Sequence, residues 1–475
     1  MASPNRRSRA LGLLAALLLL LLAAPTQAQD LLIRNARLLD GTGAPPRENV
    51  SILIRDGRIN AIGQVAGEPN LLTLDVAGAS VLPGLIDSHV HLSIVPGSAI
   101  RKDPPEAIRE QRLRQLRAYL ACGVTTVLDA GIEPAIAREL RAALAGGAVG
   151  PTALFLGPPL FAPEGYGSFG RAVGTPEQVR AQFDVLQSLG AIGVKVMLES
   201  GWSPFGSLTR HSAEIRRVIV EEAARRKLPI YVHATSEPDY EEALDLGAHA
   251  IMHGLLYRDA KLSREFLARM KKSGAYQVST LSVMDALRIE FEPERLDDPI
   301  TQIAVPARQL ATARDPRSGR IHAESRVATA AGWLPAPARR AAAAYNFSNR
   351  AISEAVASAR RALAAEHRAG VPIVVGSDSG NESIVPYLFH GLTTLREIEL
   401  LGGAGLSPAQ ALDAATRTPA RMLGLAGEIG TIEPGKRADL VIVRGDPLKD
   451  LRALRNPLWT VKNGVAHTPS EWMAR

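Results

Sequence analysis

Asp87, His89 and His91 take every second position of GLIDSHVHL (84–92), a run whose other residues are those of a buried strand. On a strand, positions i, i+2 and i+4 share one face, so three polar side chains project together from an apolar segment. Further on, Lys195 lies in IGVKVM (192–197), His233 ends IYVH (230–233), His253 follows AIM (250–252) and Asp378 follows VVGS (374–377). Four imidazoles, a carboxylate and an amine form a nitrogen and oxygen donor set suited to Zn²⁺, with Mn²⁺, Co²⁺ or Fe²⁺ as alternatives. Each motif alone has a plainer explanation: a hydrogen-bonded core histidine for His233 or His253, a turn residue for Asp378. Lys195 is harder to dismiss, because an unpaired ammonium in an apolar strand is costly. Tyr231, two residues before His233, shares its inward face and is a candidate to orient substrate or stabilise an oxyanion; the alternative is a packed barrel tyrosine. Asp87 reads as support for the ligands. His211, His249, His322, His367, His390 and His467 lack a partner motif, and His249 reads as structural.

Such residues need a scaffold that gathers strand ends. Short β-branched runs at 81–92, 124–129, 153–157, 194–197, 230–233, 250–252, 276–279 and 373–376 alternate with Ala, Leu and Arg-rich helical stretches. Eight βα units predict a (β/α)₈ TIM-like barrel over 81–424, and barrel enzymes place their sites at the carboxyl ends of the strands. The segments 29–80 and 425–475 also alternate as short strands, each too few for its own core, which predicts a small composite β-sandwich domain formed from both chain ends. Residues 281–348, between the seventh and eighth strands and rich in proline, are expected to be irregular and to act as a partial lid.

The 475 residues are 46% hydrophobic, enough for a large domain and a smaller one. The formal charge of +7 includes Arg6, Arg7 and Arg9 of the leader, and without clustered basic residues it argues against a nucleic-acid partner. Residues 1–28 read as a signal peptide: a basic start, the apolar run 11–24, then small residues before cleavage after Ala28, with Ala24 as the alternative. The expected product is exported, periplasmic or secreted, and off the membrane after cleavage. A single cysteine, Cys122, rules out an intrachain disulfide, and a homo-oligomer is left open.

In combination, the split β domain, GLIDSHVHL, CGVTTV (122–127), VKV, VHA, MHG, GSD (376–378) and GTIEPGKRADL (430–440) resemble the binuclear metal branch of the amidohydrolase superfamily, in its imidazolonepropionase-like and prolidase-like group. The resemblance implies two divalent ions, Zn²⁺ first. It gives His89, His91 and Asp378 to the more buried one, His233 and His253 to the second, and a CO₂-carboxylated Lys195 as bridge. It also implies attack by a bridging hydroxide, with Asp378 as proton shuttle.

The substrate expected is a small molecule cut at an amide (C–N) bond, a dipeptide or an N-acyl amino acid. The alternative is a lactone, carbamate or organophosphate ester on the same binuclear site. A deaminase is disfavoured by Ser236 at the position where that branch carries a glutamate, and a non-catalytic relative by retention of every ligand. Phe161, Tyr166, Phe169 and Trp202 suggest an aromatic wall, and Arg258 a carboxylate contact, with an ordinary surface arginine as the alternative.

Overall fold

The computed structural model of the chain describes residues 30–65, 71–166, 170–199, 208–255 and 262–475. The expected signal segment, Phe169, Trp202 and Arg258 lie outside them. Among the described residues no helix is long and apolar enough to cross a membrane.

Alternating apolar residues fold both chain ends into one sheet. It takes β1 (Leu31–Leu38), β2 (Arg47–Arg55), β3 (Arg58–Gly63), β4 (Leu72–Asp75) and β5 (Ser80–Pro83) from the start of the chain. Near the end, β16 (Leu440–Val443), β17 (Pro457–Lys462) and β18 (Val465–His467) complete it. β1 pairs in parallel with β4 along its first half and with β5 along its second, while β16 pairs antiparallel with β5, Ile442 opposite Val81. Every second residue, including Leu31, Ile33, Ile52, Ile54, Leu440 and Ile442, enters a core separate from that of the barrel.

The run expected as one strand over 81–92 is two strands in two sheets. β5 ends at Pro83, and β6 (Leu85–Val90) opens the barrel. Gly84 is the joint: a Cβ there would stand 2.3 Å from Thr125 Oγ1, so only glycine lets the chain pass this close to the next strand. The N-terminal half of the outer domain therefore runs to Pro83.

After β6 come β7 (Val124–Asp129), β8 (Thr152–Phe155), the two-residue strands β9 (Leu160–Phe161) and β10 (Arg171–Ala172), then β11 (Val194–Met197), β12 (Ile230–His233), β13 (Ala250–Met252), β14 (Tyr276–Ser279) and β15 (Ile373–Val375). β6, β7 and β8 pair in parallel, as do β11 through β15. Ile192 N donates to Phe155 O to join the two groups, and Asp378 N donates to His89 O to close the ring. Eight parallel strands thus form a barrel. Its helices start where the sequence offers caps, such as Thr175 before Pro176–Ser188, Ser212 before Ala213–Arg226 and Ser348 before Asn349–Ala369.

The segment 281–348 is not irregular. It holds the helices Ser282–Ala286, Pro299–Ala304, Ala307–Arg314, Pro316–Ala331 and Ala336–Asn346, with 3₁₀ turns at Leu287–Glu290 and Pro293–Leu296. Its prolines are helix starters: Pro293, Pro299 and Pro316 lead their helices, and Pro306 and Pro335 precede theirs. A first-turn residue has no use for its N–H, so proline begins a helix there as readily as it breaks one elsewhere.

Candidate active site

The carboxyl ends of β6, β11, β12, β13 and β15 bring His89, His91, Lys195, His233, His253 and Asp378 around one cavity of about 370 Å³. Asp378 Oδ1 lies 3.0 Å from His91 Nε2 and 3.3 Å from His89 Nε2, and one donor atom from each of these three residues falls within 4.8 Å of the others. His253 Nδ1 is 3.8 Å from Asp378 Oδ2, and the His253 ring lies 4.6 Å from that of His89 and 4.5 Å from that of His233, centre to centre. His253 and Asp378 hold φ values of +78° and +55°, unusual for residues with a side chain. Such backbone persists where the surroundings enforce it, and here it turns both side chains inward at the strand ends.

The donor set fits a metal. Asp378 Oδ1 and His89 Nδ1 are buried with no aligned hydrogen-bond partner, a costly state that a cation at the Asp378 oxygen would relieve. Burial holds His89 and His253 well below the ordinary imidazole range, aided by Lys195 and by neighbouring imidazoles, so both rings are neutral and able to ligate. For His91, burial lowers the pKa as well, but contact with Asp378 outweighs it and the net shift is upward. Its Nδ1 faces Gly131 O at 3.3 Å, which leaves Nε2 toward the centre. Lys195 Nζ meets the Met252 sulfur at 2.7 Å, and burial brings its pKa down to about 7. An amine of that kind exists in part as the free base near neutrality.

Supporting carboxylates fix these ligands. Asp87 accepts from His89 N, Ser377 N and Thr394 Oγ1, at 3.2, 2.9 and 2.6 Å, so it ties β6 to the loop that carries Asp378 rather than entering the cavity. Asp129, assigned no role from sequence, accepts from Leu92 N and Gly131 N and holds the turn after His91; burial lifts its pKa to about 7.

Glu199 was missed. It lines the cavity, with Oε2 3.0 Å from His233 Nε2 and 2.7 Å from Thr235 Oγ1. Lys195, Met197 and Glu199 alternate as His89 and His91 do, so the signal was present, two residues past the end of the strand. Tyr231 is not among the residues lining this cavity. Its ring sits in a buried layer below the cavity, packed with Ala250, Met252 and Val278 and edge-on to His249 at 5.5 Å. Sharing a face with His233 gave the right direction, but two residues of strand place Tyr231 about 7 Å deeper. Tyr166 stands at the mouth instead, its ring 4.9 Å from that of His233, and burial keeps its hydroxyl protonated. Phe161 belongs to β9 and is not among the lining residues. His249 is structural, bonding Met422 O at 2.9 Å, and His390 likewise joins Tyr119 and Ile94 O. His322, which had no partner motif, reaches the cavity from the insertion.

A model of the amidohydrolase family matches residues 80–466. The chain is 44% identical over 68 residues to an N-acyl-D-aspartate deacylase of Alcaligenes xylosoxydans xylosoxydans, a match spanning 14% of this chain and 13% of that protein. Other curated relatives are likewise matched over about a fifth of their length or less. Among solved structures, a Xaa-Pro dipeptidase with methionine in its active site superimposes with a TM-score of 0.70 at 21% identity, over 93% of this chain and 100% of that one. A prolidase complexed with N-methylphosphonate-L-proline gives 0.67 at 23%, over 93% and 100%. At these identities the structural likeness speaks to the fold.

Proposed function

From the premise that this chain belongs to the amidohydrolase family and is a hydrolase of carbon–nitrogen bonds, we propose that it cleaves the amide of a dipeptide or an N-acyl amino acid. The observation that carries this reading is the gathering of four imidazoles, Asp378 and a buried lysine around one cavity. Support for the substrate class comes from a relative named as a deacylase and a structural neighbour named as a Xaa-Pro dipeptidase.

His89, His91 and Asp378 would hold one divalent ion, most simply Zn²⁺, and His233 with His253 a second. A carboxylated Lys195 would lie between them. Carboxylation joins the free amine to CO₂ with loss of a proton, converting a costly buried ammonium into an anion. When bound, the ions supply Lewis-acid polarisation of the scissile carbonyl and lower the pKa of water. Asp378 takes the proton of the attacking water and delivers it to the departing nitrogen, so that an amine rather than an amide anion leaves. Tyr166, kept protonated, offers its O–H toward the carbonyl oxygen as charge develops there. Glu199 fixes the His233 ring through its Nε2 edge. Export with cleavage after Ala28 is part of the proposal, checked by N-terminal sequencing of the mature protein.

The test loads the mature protein with Zn²⁺ in bicarbonate and offers matched amides and esters: Xaa-Pro dipeptides, N-acyl amino acids, lactones and a phosphotriester. Amides are expected to turn over preferentially, and Asp378→Asn is expected to lower kcat at least about 10³-fold while leaving the fold intact. Turnover confined to lactones or phosphotriesters defeats the amide reading, and parental rates in Asp378→Asn remove the proton-transfer role.

A further inference from the structure

The insertion after β14 builds a wall of the cavity together with the helix Asn349–Ala369. That wall is apolar where Leu287, Val327, Leu334 and Phe347 meet the space. Three polar side chains interrupt it: Asn346 at the end of Ala336–Asn346, and two from a neighbouring helix. His322 and Arg326 both come from Pro316–Ala331, four residues apart and so on one face of that helix.

His322 Nδ1 is buried with no hydrogen-bond partner, and its ring stands edge-on to Phe347 with centres 5.5 Å apart. A buried ring nitrogen left unpaired is unfavourable, and the ring that carries it lines the cavity. Burial holds the ring pKa down to about 3, so the group can offer an N–H without a second positive charge. Arg326 pairs through Nη1 with Glu382, four residues beyond Asp378. The pair aligns the guanidinium between the insertion and the loop carrying the proton-transfer carboxylate. A planar guanidinium with several donors can serve a second carboxylate from such a position.

We propose that Pro316–Ala331 is a substrate-reading helix: Arg326 and His322 receive the carboxylate of an N-acyl amino acid or dipeptide, and the adjoining apolar wall seats its bulky aliphatic or aromatic body. The inference rests on the amide-hydrolase reading. It places carboxylate recognition on the insertion, as an alternative to Arg258, which lies outside the described residues. It also gives the insertion a role beyond cover, because both handles and most of the apolar wall come from it.

Binding separates this inference from turnover. Titration calorimetry with Asp378→Asn protein compares N-acetyl-L-phenylalanine, N-octanoyl-L-phenylalanine and the methyl ester of the latter. Each buried methylene is worth roughly threefold to fourfold, so the octanoyl compound is expected to bind at least about 100-fold tighter than the acetyl compound. The free acid is expected to exceed its ester by about tenfold or more. Adding Arg326→Gln or His322→Leu should erode the acid preference while the chain-length gain persists. Ala330→Trp and Ala342→Trp, at exposed and half-buried positions that line the cavity, should compress the chain-length gain below about tenfold.

Equal affinity along the acyl series overturns the inference. So does an acid preference that survives in both Arg326→Gln and His322→Leu. Hydrolysis by the parental protein is scored separately: failure with every amide defeats the hydrolase reading, and the binding gradient still decides the role of the helix.

Discussion

Lys195 and Glu199 show how two residues of one strand and its exit divide a task. Lys195 is fully inside, facing a thioether where a partner anion would be expected, and its burial favours the uncharged amine. Glu199 already has partners in His233 and Thr235. A bridging role for Lys195 and an orienting role for Glu199 therefore predict different failures. Lys195→Ala should lose most bound metal, measured by elemental analysis, and regain part of it and of activity with formate or propionate filling the vacated volume. Glu199→Gln should weaken metal binding by about 10- to 100-fold without rescue by those acids. Unchanged metal content in Lys195→Ala would remove the bridge, and equal rescue of both variants would remove the division of roles. The six candidate ligands were legible because barrel geometry makes inward parity and strand ends visible in a linear pattern. Parity carries no depth, which is why Tyr231 pointed inward yet lies beneath the cavity. His322 was illegible for another reason: it arrives from an insertion whose path across the mouth no local pattern encodes.

At the scale of elements, the barrel strands were readable from short β-branched runs, and the insertion was not, because a proline marks a helix start and a helix break alike. The helix Asn349–Ala369 that follows it carries a second lesson. Its buried face includes Ala355, Val356, Ala359, Ala362 and Leu363, and then Glu366, a carboxyl with one oxygen unpartnered. Burial lifts the pKa of Glu366 to about 8, and the phenol of Tyr240 is among the groups it influences. A carboxyl whose folded pKa exceeds its unfolded value binds a proton more tightly in the folded state. Its contribution is fully present below about pH 4.5 and is lost as pH rises toward 8. Glu366→Gln removes that dependence. The parental protein should thus lose more thermal stability than the variant between pH 5 and pH 8, with the variant gaining several degrees in Tm at the upper end. Parallel Tm profiles for the two proteins would show that Glu366 does not titrate across that range.

For the whole molecule, the question is what makes two discontinuous ends and a barrel fold as one body. The seam is specific. Gly84 N donates to Asp439 O, a Cβ at Gly123 would stand 2.6 Å from Val441, and the final helix Pro469–Ala474 packs back on Pro105–Ala121. Its polar centre is Lys462 of β17, whose Nζ reaches Asp439 Oδ2 and Thr152 Oγ1 of barrel strand β8, both at 2.8 Å. Asp439 also accepts from Asn463 N, so one buried carboxylate joins two turns of the outer sheet while its lysine reaches the barrel. Sequence alternation indicated that the ends combine, but the seam was hidden, since it depends on which residues meet across 310 positions of chain. Removing one partner of a buried pair leaves the other charge stranded, at a cost of about 3–5 kcal/mol, whereas removing both can be nearly neutral. Lys462→Met should therefore destabilise the protein by about 3 kcal/mol in denaturant titration, and Asp439→Asn added to it should restore a good part of that loss. The loss should appear in one cooperative transition that includes the barrel, because the lysine anchors to β8. A separate early transition of the outer sheet, with the barrel unaffected, would mean that the seam holds the domains side by side without coupling their folding.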